Sequence, residues 1–400
     1  MSILIVGASV AGIRTAQALR QRGYPGLITL LGDELHHPYD KPPLSKDMLA
    51  ASGGRPVALL TEDELAALGV DLKLGVRATR LDPSARFVEG ADGRRYGYDH
   101  LVLATGVVPR LLPGMEVPGA VPRGVHTIRT ADDALALRAA LADSPDVVVV
   151  GAGFIGAEFA SAARAYGCSV AVVEMQDVPM AHLLGVEVGG LLAQLHAAHG
   201  AALHTSVGFD HFEGDGQVRG IALTDGRILS AGLVVVGVGA VPATDWLAMS
   251  GLPIDNGVEC DETLRVVGFP DIHAAGDVAR WPHPLYGLIR IEHWTNAQEH
   301  AVIVAADILG DPRPAPQVPY VWSDQYGHRI QMLGRPSLGS LSALQGTAED
   351  RLVATYADES GVLVGAVVVD DPRTTMKLRK AMAKRLLAAD LPLPTTSGAY

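Results

Sequence analysis

One pattern occurs twice in this chain of 400 residues: an apolar strand, a glycine-rich turn, a helix, a second strand and an acid. In the first copy the turn is residues 7–12, Gly-Ala-Ser-Val-Ala-Gly, and the acid is Asp33. In the second copy the turn is residues 151–156, Gly-Ala-Gly-Phe-Ile-Gly, and the acid is Glu174. Such a turn inside a βαβ unit is typical of dinucleotide binding, with the phosphates on the helix N-terminus. The repeat therefore predicts two dinucleotide-binding domains and two dinucleotides.

The three glycines of such a turn have different roles. The first allows the tight turn, the second lets the backbone approach a pyrophosphate, and the third lets the helix pack close to the strand. The first copy has Ser9 where the second has Gly153, so a hydroxyl must fit beside the pyrophosphate there. The alternative for either copy is a glycine turn in an ordinary α/β domain.

Three further apolar segments end in small residues, which let a backbone come close to a ligand. They are residues 98–106, residues 233–241 with Gly237 and Gly239, and residues 272–277. In the third, Asp277 is expected at the carboxyl end of a strand and before a helix. Its carboxylate could bind a ribityl hydroxyl of a flavin, or cap the helix, or do both.

Charge and hydropathy exclude several classes of protein. The chain has 32 basic and 44 acidic residues, a formal net charge of −12. Non-specific binders of nucleic acid or of anionic membranes are usually basic, so we expect neither partner. The longest apolar candidate, residues 233–241, is half the ~18 residues that a membrane helix needs. The first residues lead into a strand rather than a signal sequence, so we expect a cytoplasmic protein.

Several short motifs together carry a resemblance to a known family. The two turns, Ala104-Thr105-Gly106 and Ala275-Gly276-Asp277 resemble the two-dinucleotide-binding flavoproteins. Three more segments narrow this: Pro-Pro-Leu-Ser-Lys at 42–46, Arg-Ile-Glu-His-Trp at 290–294 and Trp-Ser-Asp-Gln-Tyr at 322–326. With them the chain resembles, over nearly its whole length, the FAD-dependent ferredoxin reductases of the putidaredoxin reductase, rhodocoxin reductase and ring-dioxygenase type.

The resemblance implies an α/β fold of two Rossmann-like dinucleotide-binding domains, for FAD and NADH, plus a smaller α+β C-terminal domain. We expect the FAD domain at 1–112 and 240–316, the NADH domain at 113–239 and the C-terminal domain at 317–400. The implied activity passes hydride from NADH to FAD and then single electrons to a [2Fe–2S] ferredoxin. That ferredoxin would serve a cytochrome P450 or a ring-hydroxylating dioxygenase.

Matching the motif positions implies two sets of binding residues. The FAD set is Gly7, Ser9, Ala11, Gly12, Asp33, Lys46, Ala78, Ala104, Thr105, Gly106, Arg129, Gly276, Asp277 and Trp294. The NADH set is Gly151, Gly153, Phe154, Ile155, Gly156, Glu158, Glu174 and Gly239. Within these sets, Lys46 and Glu158 are implied to approach each other beside the reactive nitrogen of the flavin. The alternative is two solvated charges on separate surfaces.

The acid Glu174 bears on the choice of coenzyme. A carboxylate at that strand end accepts hydrogen bonds from the adenosine 2′-hydroxyl and repels a 2′-phosphate. The following residues, 175–180, add an acid and contain no Arg or Lys, so we expect NADH rather than NADPH.

The cysteines and histidines exclude other chemistries. Disulfide reductases of this fold carry a cysteine pair on an early helix, whereas this chain has only Cys168 and, in a segment expected at the surface, Cys260. Disulfide reduction is therefore not expected. The 14 histidines show no repeated ligand spacing, so we expect no metal site.

Two alternative functions remain at this point. One is another enzyme of the same fold, such as an NADH oxidase or a reductase of the rubredoxin or nitrite-reductase type. The other is an NADH-sensing interaction protein like apoptosis-inducing factor.

A partner surface is expected near the end of the chain. Residues 373–385 carry six basic residues and no acid. Lys377, Lys380 and Lys384 would share one helix face, with Met376 and Leu378 turned elsewhere. Because ferredoxins of these systems are acidic, this face is the candidate docking surface, the alternative being a solvated helix face.

Overall fold

The structure, a computed structural model, describes residues 1–115, 121–143 and 146–391. It divides into two compact units. The first comprises Met1–Pro42, Pro56–Val108 and Ala240–Gln317, and the second comprises Pro43–Arg55, Pro109–Gly239 and the chain from Val318 onward. Residues 116–120, beside the expected boundary at 112, and residues 392–400, the end of the expected C-terminal domain, lie outside the described residues. The division into FAD, NADH and C-terminal domains stays a prediction.

The helices and strands below are numbered in chain order over the described residues. The α-helices are α1 (Val10–Gln21), α2 (Glu62–Leu68), α3 (Ala131–Asp143), α4 (Phe154–Ala165), α5 (Ala181–Ala198), α6 (Trp294–Leu309) and α7 (Pro372–Ala383). The strands up to residue 109 are β1 (Ser2–Val6), β2 (Leu27–Leu31), β3 (Asp71–Lys73), β4 (Ala78–Asp82), β5 (Phe87–Gly90), β6 (Arg95–Gly97), β7 (His100–Leu103) and β8 (Val107–Pro109). The next are β9 (Val125–His126), β10 (Asp146–Val150), β11 (Ser169–Val173), β12 (Ala202–His204), β13 (Phe209–Glu213), β14 (Gly220–Leu223), β15 (Ile228–Ser230) and β16 (Leu233–Val236). The last are β17 (Ala240–Pro242), β18 (Val258–Glu259), β19 (Ile272–Ala274), β20 (Ala279–His283), β21 (Gly287–Ile289), β22 (Tyr320–Gln325), β23 (His328–Gly334), β24 (Ser340–Gly346), β25 (Leu352–Ala357) and β26 (Leu363–Val369).

The first unit is built on a five-stranded parallel sheet with the order β19-β7-β1-β2-β3. Strand β1 is central, and its residues from Ile3 to Val6 are all buried. A continuous apolar run is what a parallel strand covered on both faces requires. Helices α1 and α6 pack against each other beside this sheet. Smaller sheets of the unit are β4-β5-β6 and β18-β20-β21.

The second unit repeats this plan. Its parallel sheet has the order β12-β11-β10-β16-β9, and the buried, valine-rich strand β10 occupies the central place that β1 has in the first unit. An antiparallel sheet, β13-β14-β15, accompanies it. The two central strands are those that precede the glycine-rich turns, so both turns lie at the carboxyl edge of a parallel sheet, where open α/β sheets bind ligands.

The second unit also contains an antiparallel sheet of the order β22-β23-β26-β25-β24, on which α7 packs. Residues of this sheet such as Ile330 and Val367 share one hydrophobic core with Val188 and Leu192 of α5. The expected α+β character of the C-terminal part is therefore confirmed.

One buried histidine ties α5 to the turn after β22. The hydroxyl of Tyr326 and Nδ1 of His196 share a hydrogen bond of 2.8 Å, and the two rings meet edge to face. Burial lowers the pKa of His196 to about 4, because the cationic form is poorly solvated there.

The first helix begins at Val10, so the end of the glycine-rich turn at 7–12 already forms its first turn. One local expectation differs from the structure. Asp277 is followed by strand β20, not by an α-helix, and lies in a three-residue 3-10 helix, Gly276–Val278. Every helix of the described residues is too short or too polar to cross a bilayer.

Candidate active site

The first glycine-rich turn lies against the end of the neighbouring strand β7. Gly7 has a φ of +117°, and a Cβ atom there would lie 2.1 Å from the carbonyl oxygen of Ala104. A Cβ atom on Gly12 would lie 1.9 Å from the carbonyl oxygen of Gly7. Both contacts are far inside van der Waals distance, so any side chain at these positions would force the turn away from the sheet.

The second turn has the same close approaches. Gly151 has a φ of +102°, and a Cβ atom there would lie 2.4 Å from the carbonyl oxygen of Gly237, which follows β16. A Cβ atom on Gly156 would lie 2.0 Å from the carbonyl oxygen of Gly151. The two turns thus make the same close contacts at the same position, after the central strand of a parallel sheet.

The middle position of the turn explains why serine is tolerated in the first copy. Gly153 has φ −75° and Ser9 has φ −97°, and both are extended conformations open to any residue. Among the described residues, nothing lies within 4 Å of a Cβ atom placed on Gly153. The requirement at this position is free space beside the backbone rather than an unusual dihedral angle.

The helices that follow the turns have a donor set suited to a phosphate. Within the described residues, no side chain caps α1 or α4, and neither helix has an acid in its first turn. The first backbone N–H groups therefore face the turn without a carboxylate in competition. A dinucleotide pyrophosphate satisfies these groups and is favoured by the helix dipole, so both turns fit such a ligand.

The FAD positions of the first unit gather at the carboxyl edge of its sheet. Strands β1, β7 and β19 are parallel neighbours, so the residues that follow them meet at one edge. A Cβ atom on Gly276 would lie 3.0 Å from that of Ala11, which joins the turn after β19 to α1. The implied residues at this edge are Gly7, Ser9, Ala11 and Gly12 after β1, Ala104, Thr105 and Gly106 after β7, and Gly276 and Asp277 after β19.

Three other implied FAD residues of this unit lie in nearby segments. Asp33 follows β2, is exposed, and has a carboxylate oxygen 3.6 Å from Nη2 of Arg77, the residue before Ala78. Trp294 begins α6, and its indole Nε1 donates a 2.6 Å hydrogen bond to Asp40. That bond fixes the loop that leads to residues 42–46. The remaining implied FAD residues, Lys46 and Arg129, belong to the second unit.

Glu174 is held at the second turn by two backbone groups. One carboxylate oxygen accepts from the N–H of Ala152 at 3.0 Å, and the other accepts from the N–H of Gln176 at 3.0 Å. The strand-end acid therefore lies against the glycine-rich turn. Phe154 and Ile155 begin α4 beside it, and Gly239, with a φ of +95°, follows β16.

Lys46 and Glu158 form an ion pair in the second unit. The ammonium nitrogen of Lys46 is 3.2 Å from Oε1 of Glu158 and 3.6 Å from Oδ2 of Asp324. It also lies 5.4 Å from the centre of the Trp322 ring. The Glu158 side chain is only 4% exposed, so the two residues are not solvated charges on separate surfaces.

Two serines complete the surroundings of Glu158. Ser45 donates its hydroxyl to Oε2 at 2.5 Å, and Ser323 donates its hydroxyl to Oε1 at 2.6 Å. The Nε2 group of Gln325 donates to the Ser323 oxygen at 3.0 Å. A buried carboxylate is costly unless it is paired and hydrogen-bonded, and these donors meet that requirement. The motifs at 42–46 and 322–326 contain these residues, but nothing in the sequence assigns them to Glu158.

Both cysteines are buried, which corrects the expectation that Cys260 lies at the surface. Cys260 is 5% exposed and donates its thiol to the carbonyl of Val258, because its strand segment faces the core of the first unit. Cys168 is also buried, and its thiol lies 3.8 Å from the carbonyl oxygen of Leu141. Burial raises the pKa of both thiols. Among the described residues, no group of three or more His, Cys or acidic side chains is arranged to hold a metal ion.

The basic segment near the chain end forms α7 and its C-terminal turn. The exposed basic residues are Arg373, Lys377, Lys380, Lys384 and Arg385. Leu378 is buried as expected, but Met376 is 53% exposed. Helical spacing places Met376 three and four residues from Arg373 and Lys380, so it lies on the basic face, which corrects the sequence expectation.

Comparisons with known proteins give two family matches and several similar reductases. Residues 1–301 match the family model described as pyridine nucleotide-disulphide oxidoreductase, and residues 320–391 match the one described as reductase C-terminal. The chain is 39% identical to rhodocoxin reductase of Rhodococcus erythropolis over 98% of this chain and 91% of that protein. It is also 39% identical to the ferredoxin–NAD(+) reductase component of the biphenyl dioxygenase system of Paraburkholderia xenovorans, over 83% of this chain and 81% of that protein. A solved covalent complex of putidaredoxin reductase and putidaredoxin superposes with a TM-score of 0.91 at 31% identity, over 96% of this chain and 94% of that one.

Proposed function

Because this chain belongs to the pyridine nucleotide-disulphide oxidoreductase family and carries a reductase C-terminal domain, we propose that it is an FAD-dependent NADH–ferredoxin reductase. The electron acceptor is a [2Fe–2S] ferredoxin, which serves a cytochrome P450 or a ring-hydroxylating dioxygenase. The similarity to rhodocoxin reductase, to a biphenyl dioxygenase reductase component and to a reductase solved with its redox partner supports this acceptor. A cytoplasmic location is part of the proposal.

The observation that carries the proposal is the pair of equivalent glycine-rich turns, each followed by a helix that no described side chain caps. A chain with two such turns fits two dinucleotides, NADH as the electron donor and FAD as the bound electron carrier. Both thiols are buried and donate to backbone carbonyls, so this chain offers no exposed dithiol as a competing redox group.

FAD, when bound, would supply the chemistry that connects a two-electron donor with a one-electron acceptor, since a flavin can accept a hydride and release single electrons. The residues of this chain bind the two dinucleotides, orient them and shield them from water. The glycines of both turns allow the backbone to approach the phosphates, and α1 and α4 present N–H groups to them. One NADH delivers two electrons and a proton, so two ferredoxins are reduced for each NADH oxidised.

We propose that Lys46 acts as the cation beside the flavin and that Glu158 holds it there. A positive charge favours the reduced, anionic form of a flavin and so favours hydride transfer. The 3.2 Å contact with a nearly buried carboxylate keeps the ammonium at a defined place. Asp324, at 3.6 Å, offers the same ammonium a second contact.

We assign coenzyme choice to Glu174. Its carboxylate lies against the second turn, where an adenosine ribose would lie next to the pyrophosphate. The oxygens accept from ribose hydroxyls and repel a 2′-phosphate. Residues 175–180 provide no Arg or Lys that could bind that phosphate, so the donor is NADH.

We assign docking of the acidic ferredoxin to the exposed basic face of α7. Without residues 373–385, this chain has 26 basic and 44 acidic residues, which concentrates positive charge in that segment. The exposed Met376 lies among the basic residues and gives the face an apolar centre. Complementary charge at such a face raises the rate of encounter and sets the orientation.

An anaerobic reduction followed by turnover tests the proposal. The protein should bind FAD rather than FMN, turn yellow, and be bleached by one equivalent of NADH. It should then reduce a [2Fe–2S] ferredoxin much faster than O₂, with two ferredoxins per NADH. A protein that stays colourless with FAD refutes the proposal. Fast transfer to O₂ alone would instead favour an NADH oxidase, and a long-lived reduced complex with slow turnover would favour a sensor.

A further inference from the structure

Glu158 is held more firmly than its ion pair with Lys46 requires. Three donors reach its two oxygens, and they come from two segments of the second unit: Ser45 and Lys46 from the loop at 43–46, and Ser323 from strand β22. Ser45, Ser323 and Gln325 are all buried. Such a shell keeps a carboxylate in one orientation rather than only solvating it.

The direction of the Ser323 hydroxyl is determined by its neighbour. A hydroxyl has one proton to donate and two lone pairs that accept. Because the Ser323 oxygen accepts from Nε2 of Gln325 at 3.0 Å, its proton is free for Glu158, at 2.6 Å. Glu158 is then the acceptor of the hydrogen bond with Ser323.

Ser323 contacts the same oxygen of Glu158 as the ammonium of Lys46 does. It donates to Oε1, the oxygen that contacts the ammonium of Lys46, whereas Ser45 donates to Oε2. With both serines present, the carboxylate cannot rotate about its last bond without loss of a hydrogen bond. Without Ser323, Lys46 would be the one remaining contact of Oε1 among the described residues.

Lys46 has freedom that Glu158 lacks. Its ammonium contacts a second carboxylate, Asp324, at 3.6 Å, and that carboxylate is already paired with Arg329 at 2.7 Å. The ammonium also lies over the Trp322 ring. Lys46 therefore has alternative neighbours, and its preference for Glu158 depends on how well Oε1 is presented.

We propose that Ser323, oriented by Gln325, is a positioning residue that holds Oε1 of Glu158 against the Lys46 ammonium. The inference rests on the proposed function for the role of Lys46 beside the flavin. Its structural content, that Ser323 determines how tightly Lys46 is held, does not depend on the electron acceptor. Ser323 thus influences the reaction through two other side chains, Glu158 and Lys46.

The first test measures how strongly Lys46 is held in the FAD-loaded protein. Acetylation of lysines by an N-hydroxysuccinimide ester is followed by peptide mass spectrometry, and the rate at Lys46 is divided by that at exposed Lys377 of the same chain. In Ser323→Ala this ratio should rise about tenfold, since one charge-assisted hydrogen bond is lost. In Gln325→Leu, which removes only the orienting donor, it should rise roughly threefold.

Two further variants separate positioning from packing. Ser342→Ala removes a serine hydroxyl bond of the same sheet, to the carbonyl of Thr355 at 3.0 Å, and should leave the ratio unchanged. Ser323→Thr keeps the hydroxyl and should restore most of the wild-type ratio. If Ser323→Ala does not fold, Gln325→Leu carries the test, because Ser323 is then intact.

The second test is stopped-flow reduction by NADH. Ser323→Ala should lower the limiting rate of flavin reduction while the Kd for NADH changes less than about twofold, since no coenzyme contact is removed. A wild-type labelling ratio in both Ser323→Ala and Gln325→Leu overturns the inference, whatever the turnover. A raised ratio in a protein that does not reduce ferredoxin refutes the proposed function and leaves the positioning role in place.

Discussion

Replacement of Glu174 tests the coenzyme assignment most directly. Glu174→Ala removes the carboxylate that lies against the second glycine-rich turn, and Glu174→Arg replaces it with a cation. The first change should weaken the preference for NADH over NADPH. The second should move the preference toward NADPH, because a guanidinium binds a 2′-phosphate with paired hydrogen bonds.

The magnitude follows from what the carboxylate contacts. Each oxygen already accepts one backbone N–H, from Ala152 and from Gln176, both at 3.0 Å. Loss of these bonds loosens the turn for both coenzymes and cancels in the ratio of their kcat/KM values. What remains is the charge-assisted bond to the ribose hydroxyl, about 1.5–3 kcal/mol, or roughly ten- to a hundredfold in that ratio.

The assay is steady-state kcat/KM with each coenzyme, with ferricyanide as acceptor so that ferredoxin docking does not contribute. Asp210→Ala is the matched control, because it removes an exposed acid of β13 in the same unit that pairs with His211 rather than with the turn. Its ratio should stay at the wild-type value. An unchanged ratio in both Glu174 variants would refute the assignment of Glu174 to the ribose.

Three other changes have defined outcomes. Lys46→Ala should lower the limiting rate of flavin reduction at saturating NADH at least about tenfold, by loss of a cation at the developing charge, with little change in NADH affinity; a wild-type rate by stopped flow would refute it. The double reversal Lys380→Glu and Lys384→Glu should raise the KM for ferredoxin severalfold at low salt, and the difference should fade toward ~0.15 M salt as the Debye length falls to about 8 Å. If the KM for ferredoxin changes neither with the charge reversal nor with salt, the docking surface lies elsewhere. The pKa of His196, about 4 in the folded protein against an ordinary 6.5, means that stability falls as the pH drops from 6.5 to 4. His196→Asn should remove up to roughly 3 kcal/mol of that loss in denaturant unfolding, and an equal slope in both proteins would contradict it.

Each of these changes has a control in the same chain. Lys377→Ala removes an exposed lysine and should not affect flavin reduction. Lys73→Glu reverses an exposed charge on β3 and should leave the KM for ferredoxin unchanged. His211→Asn removes an exposed histidine whose pKa is raised by hydrogen bonds to Asp210 and Glu213, so it should not reproduce the effect of His196→Asn.

The turns and the fold were predictable because their requirements are local. The spacing of the two outer glycines is visible in the sequence. The structure gives its reason at Gly7 and Gly12, where Gly7 has a positive φ and a Cβ atom at either position would lie near 2 Å from a backbone oxygen. The central strands β1 and β10 are equally visible, since burial on both faces requires an unbroken apolar run. Even the serine at position 9 agrees, because its φ of −97° needs no glycine.

The partners of Glu158 were not predictable from spacing. Ser45 and Ser323 lie 113 and 165 residues away from it along the chain. A motif of five residues does not indicate which of its side chains contacts Glu158, a residue so distant in the sequence. The resemblance implied the pairing of Lys46 with Glu158, whereas the hydroxyl shell required coordinates.

For two residues the sequence expectation was wrong, because the polarity of neighbouring residues does not determine which face of an element a side chain lies on. Cys260 stands between two acids, Glu259 and Asp261, which suggested a surface, yet alternation along a strand turns it into the core. Met376 was expected to turn away from the lysine face, yet it is 53% exposed and lies three and four residues from Arg373 and Lys380 on that face.

Because both thiols are buried, the native protein should react little with reagents that modify cysteine. Burial raises the pKa of Cys168 and of Cys260, so maleimides and iodoacetamides, which attack thiolates, find no ready target in the native chain. A single cysteine introduced at exposed Met376 would be labelled alone, without removal of the native two. A fluorophore or spin label could thus be attached on the basic face of α7 in an otherwise unaltered enzyme.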